Sequence, residues 1–136
     1  RCKTTNYIFL DLISASVVKY AINTFLATKV VFFNELNEYF SKFNSVDTWT
    51  EVLNAIKADS RIGPSHMNVP GHDGKKGFGG ACFPKDTVAL AKSAEAINQN
   101  LKVLEAAIKS NNTIRKTYTE IDSREKDQNI SFDDKI

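Results

Sequence analysis

From about Leu12 to Phe43 the chain runs without a glycine or proline, and apolar residues occupy most positions. Such a run predicts one helix of roughly 45 Å at 1.5 Å per residue, with Asp11 or Ser14 placed to cap its start. Val17, Val18, Ala21, Ile22, Phe25, Leu26, Val30, Phe32, Phe33, Leu36 and Phe40 do not form one stripe but spread around most of the circumference. A helix that is apolar all round needs cover on several sides. In so short a chain, a second copy of the same molecule is the expected cover for one of them. After a break at Ser45 and Val46, Asp47 is placed to cap a helix through about Ala58, with Trp49, Val52, Leu53 and Ile56 inward. A third helical pattern runs from Pro84 to about Asn98 with Val88, Leu90, Ala91, Ala94 and Ile97 inward. A fourth, about Leu101 to Ile114, sets Leu101, Leu104, Ala107 and Ile108 on one face. From Thr117 the composition turns polar and charged, which predicts little independent structure, although Ile130 and Phe132 can dock on the body. No stretch is strand-rich, so the expected fold is all-α: a long central helix, shorter helices and one glycine-rich loop. Residues 1–11 read as a lead-in, 12–115 as a helical domain and 116–136 as a polar tail.

That loop changes the picture. Five of the six glycines, at 71, 74, 77, 79 and 80, fall within GHDGKKGFGGACFPKD, Gly71 to Asp86. Glycine permits positive φ and close approach to a ligand, and Pro84 suits the first turn of a helix. Cys82 therefore sits just ahead of a helix N-terminus, where N–H groups and the helix dipole favour an anion such as a thiolate, and Lys85 adds positive charge. From this run alone, a reactive thiol and an inert buried one are equally open. Asp86 is either an ordinary first-turn acid or a carboxylate that orients water. Lys19 and Asn23, spaced i,i+4 inside the apolar helix, share a face. Taken alone, they read as a snorkelling lysine and a local hydrogen bond. Arg61 alone reads as a surface charge. Lys75 and Lys76 read either as contacts for a diphosphate or as solvated residues. His66 and His72 have no metal-ligand spacing to Cys82 or to paired carboxylates, so no metal site is expected. Cys2 has no catalytic neighbours in sequence and reads as inert.

Charge and cysteine usage narrow the classes. A formal net charge of +2 over 136 residues gives no electrostatic case for nucleic acid or a membrane surface. Two cysteines are too few for a disulfide framework, which fits a reducing, cytoplasmic setting. Lys19, Asn23 and Lys29 interrupt the apolar run, so no membrane span is expected, and no signal peptide is seen. The chain begins at Arg1 without a methionine, which suggests a fragment or an excised domain.

Two motifs carry a resemblance. GFGGACFPKD, Gly77 to Asp86, resembles G-(F/Y)-G-G-x-C-(F/L)-P-K-D, the active-site segment of the UDP-glucose/GDP-mannose dehydrogenase family. KYAINTFLA, Lys19 to Ala27, resembles that family's K-(Y/L)-x-x-N-x-(F/Y)-L-A, and VVFFNEL and DSRIG follow in the family's order. The resemblance spans about Ser14 to Ala107 and points to the family's central, dimer-forming domain. It implies residues 1–11 as a lead-in from an absent NAD-binding domain, since no strand–GxGxxG–helix unit occurs here. It also implies NAD as cofactor, a nucleotide sugar as substrate and a homodimer. UDP-glucose is the expected sugar, with GDP-mannose or a UDP-N-acetylhexosamine as alternatives. Residue by residue, it makes Cys82 the nucleophile, Lys19 and Asn23 the donors to an oxyanion, and Asp86 the group that orients water. Gly77, Phe78 and Gly79 would lie against the sugar nucleotide. Arg61 would reach a neighbouring subunit's substrate, and Cys82 and Lys85 would stand on the cofactor side. A helical dimerisation module without activity of its own is the rival reading. A generic phosphate cradle is weaker, because the loop lacks the G-K-(S/T) ending of a P-loop.

Overall fold

The computed structural model describes residues 6–133, and Cys2 lies outside them. Five helices follow one another: α1 Leu12–Phe40, α2 Trp49–Lys57, α3 Phe83–Glu95, α4 Lys102–Arg115 and α5 Ser123–Asp127. No strand occurs among the described residues, so the all-α expectation holds.

Local chemistry sets the helix ends. Asp11 caps α1: its Oδ1 accepts from the amides of Ile13 at 2.9 Å and Ser14 at 3.1 Å. The helix closes at Phe40, three residues short of the expected Phe43, with Ser41 as its C-cap. Thr48, not Asp47, caps α2. The reason is the residue three places on: Glu51 completes a capping box, accepting from the Thr48 amide at 2.7 Å while Thr48 Oγ1 accepts from the Glu51 amide. Asp47 has Thr50 in that place and cannot form the box. α3 ends at Glu95, and Asn98 then turns left-handed at φ 56°. Ile97 therefore falls beyond the helix and is 75% exposed, contrary to the inward place expected for it.

α1 is the spine, with α3 and α4 packed against it and against each other. The interior is three small clusters. Ala27, Val31, Phe78 and Ala107 join α1, α4 and the glycine loop. Phe33, Leu53 and Met67 seat α2 on α1. Ala91, Leu104 and Ile108 join α3 to α4. Lys29 is buried in α1 and donates to the carbonyls of Ile62 and Gly63, both at 2.9 Å, which pins the turn after α2. Burial holds its pKa below the usual lysine value. The amino-terminal half of α1 is open: Val17, Ile22 and Phe25 are each more than half exposed. By length and composition alone α1 is able to cross a membrane. Lys29 and Asn34 are buried in it, and α3 and α4 pack on it.

Candidate active site

Cys82 is the N-cap residue of α3, and its thiol is exposed rather than buried. Its carbonyl accepts from the Asp86 amide at 2.9 Å, so Cys82 and Asp86 stand one turn apart on one helix face. Beside the thiol lies a cleft of about 550 Å³, lined by Val30, His66, His72, Gly77, Gly79 and Cys82 among others.

Asp86 is the meeting point of α1 and α3. It is only 1% exposed. Asn23 Nδ2 donates to its Oδ2 at 2.6 Å, Lys19 Nζ reaches its two oxygens at 3.3 and 3.2 Å, and Lys85 Nζ lies 2.5 Å from Oδ1. Burial opposes the charged carboxylate, but the hydrogen bonds from Lys85, Asn23 and Lys19 outweigh it and hold its pKa below the usual value. The same contact raises the pKa of Lys85, with a smaller push from Cys82. Lys19 and Asn23 thus do more than snorkel or bond locally; both reach Asp86 on the helix that starts at the cysteine. Lys19 remains 55% exposed and keeps donor capacity beyond Asp86.

The glycine loop is held by side chains that the hydrophobic pattern did not single out. Asn34 Oδ1 accepts from the Gly77 amide at 3.0 Å. Asn111 brackets Phe78, accepting from its amide at 2.6 Å and donating to its carbonyl at 3.0 Å. Glu125 Oε1 accepts from the Gly80 amide at 2.9 Å. Gly77 and Gly80 adopt φ 74° and 75°, which favour glycine. A faint signal existed: Asn111 and Arg115 continue the inward face of α4 at i+4 steps from Ala107, so polar groups there need partners.

Other expected site residues lie elsewhere. Arg61 is exposed and paired with Asp59 at 2.6 Å, and it does not line the cleft. Lys75 Nζ donates to the Glu120 carbonyl, and the Lys76 amide donates to Tyr118 Oη at 2.9 Å.

A family model, the central domain of the UDP-glucose/GDP-mannose dehydrogenase family, matches residues 13–113. The chain belongs to this family. It is 35% identical over 130 residues to the UDP-glucose 6-dehydrogenase of Rickettsia felis, covering 92% of this chain and 28% of that protein. It is 38% identical over 101 residues to the UDP-glucose 6-dehydrogenase TuaD of Bacillus subtilis, covering 74% of this chain and 20% of the relative. With AglM of Haloferax volcanii, also named a UDP-glucose 6-dehydrogenase, identity is 40% over 97 residues. The chain thus spans less than a third of these dehydrogenases. The match to the family's central domain takes in α1, the glycine loop and Cys82, and nearly all of α4.

Proposed function

We propose that this chain is the thiol-bearing part of an NAD-dependent dehydrogenase that oxidises the C6 alcohol of UDP-glucose to the carboxylate in two steps. The observation that carries this reading is an open Cys82 thiol at a helix start, beside a cleft, one turn from an Asp86 that gathers Lys19 and Asn23. The names of the three relatives support UDP-glucose as the sugar.

An aldehyde at C6 is a poor hydride donor. Addition of the Cys82 sulfur to it gives a thiohemiacetal, whose oxidation leaves a thioester. The oxyanion formed on addition needs N–H partners, and the remaining donors of Lys19 and Asn23 supply them from one helix face. Hydrolysis needs an oriented water. Asp86 is tied to three donors, so its first task is to aim Lys19 and Asn23, and its role toward water follows only when one of them turns to substrate. The backbone of Gly77, Phe78 and Gly79 walls the cleft for the sugar nucleotide. Arg61 serves only across a subunit contact. NAD supplies the hydride acceptor when bound. The described residues contain no strand, hence no strand–glycine–helix unit to hold it, and Lys85 is engaged by Asp86.

The test is alkylation by iodoacetamide. Cys82 is expected to react faster than Cys2 near neutral pH, and UDP-glucose to slow it more than GDP-mannose does. Equal, slow reaction of both thiols, indifferent to any nucleotide sugar, points instead to a scaffold. One observation favours that second reading as a partial truth: the open apolar face of α1 suits a homodimer contact.

A further inference from the structure

A buried ion pair outside the proposed chemistry reaches the same loop. Arg115 of α4 and Glu125 of α5 have side chains only 2% and 1% exposed, and they pair at 2.7 Å. Both terminal nitrogens of Arg115 and both oxygens of Glu125 have partners. Glu125 Oε1 also accepts from the Gly80 amide, and Oε2 accepts from the Asp122 amide at 2.9 Å. The other arm of Arg115 reaches Asp73 Oδ2 at 2.7 Å. The guanidinium lies 5.8 Å from the Tyr118 ring centre and 5.3 Å from that of Phe132, so the end of the described chain closes over it.

The fit is tight. A Cβ on Gly79 would lie 2.1 Å from Arg115 Nη2 and 2.3 Å from Glu125 Oε1. Asp73, Gly79, Gly80, Cys82 and Arg124 line one cleft, so both ends of the ion-pair network face the thiol's surroundings. A buried ion pair is weak evidence of stability in itself, because desolvation offsets the attraction. Here its geometry has a second use: it fixes a glycine backbone two residues before the sulfur.

We propose that Arg115 and Glu125 are positioning residues for Cys82, holding the glycine loop so that the thiol keeps its place at the start of α3. The segment after α4 is then a working part of the thiol site rather than a tail. This rests on the reading of Cys82 as the reactive group, but its test needs no sugar.

The experiment uses the full chain with Cys2→Ser, so that one thiol remains. Hydrogen exchange in the otherwise unaltered chain is expected to show the Gly80 amide protected at least about tenfold over an unfolded peptide. Glu125→Ala is expected to remove that protection and to slow alkylation of Cys82 about fivefold near neutral pH, as the loop that places the sulfur loses its hold. Glu125→Gln keeps an acceptor for Gly80 and is expected to recover most of the rate. The idea is overturned if the Gly80 amide exchanges at the unfolded rate, a measurement that requires no variant to fold. It is equally overturned if Glu125→Ala alkylates at the unaltered rate. Should these readouts behave as expected while UDP-glucose fails to protect Cys82, the assignment of substrate falls and the positioning role stands.

Discussion

At Asp86, burial and pairing pull in opposite directions. Burial alone raises a carboxyl pKa; three donors reverse the sign. With the folded value below the unfolded 3.8, the ionised form stabilises the fold at any pH above about 4. That contribution is lost as pH falls through the folded value. Urea midpoints measured from about pH 5 down to about pH 2.5 should therefore drop less steeply in Asp86→Asn than in the unaltered chain. Parallel curves would mean the three contacts do not discriminate the charged form. Lys19 and Asn23 were legible in the sequence as a pair on one face. Their common target was not, because 67 and 63 residues separate them from Asp86.

Among the elements, α2 depends most on its start. It has nine residues and one buried side chain, Leu53, which meets Phe33 and Met67. Short helices are marginal on their own, so the Thr48–Glu51 box matters more here than the Asp11 cap does for the 29 residues of α1. Thr48→Ala should cost about 1 kcal/mol in urea unfolding, with Asp47→Ala well below that. The reverse order would restore Asp47 as the cap. The four longer helices were readable from apolar spacing, since burial imposes that spacing. α5 was not readable, because its buried residue is Glu125, and a charge that is buried through pairing looks in sequence like a solvated one. The hold on the glycine loop by Asn34 and Asn111 escaped for the same reason: polar partners leave no hydrophobic period.

Across the whole molecule, apolar surface is unevenly covered. Val18, Ile22 and Phe25 lie on one face of α1 and are 46%, 54% and 66% exposed. Contiguous exposed apolar area of this kind marks a contact surface. A homodimer through this face should appear in sedimentation velocity at micromolar concentration, and Phe25→Glu should shift the protein to monomer with its helical circular dichroism retained. A monomeric unaltered chain would remove the homodimer from the proposal.

The hold on the glycine loop has a consequence for biosynthesis. Gly80 waits for a carboxylate 45 residues downstream, whereas the amide that holds Gly77 lies 43 residues upstream and is made first. Contacts so distant in sequence form late, after loop closure. As the nascent chain leaves the ribosome, Cys82 emerges well before Glu125 does. Under the positioning role proposed for Glu125, the Cys82 sulfur acquires a fixed setting only when translation has passed α5, so an electrophile meeting the growing polypeptide encounters a thiol without that hold.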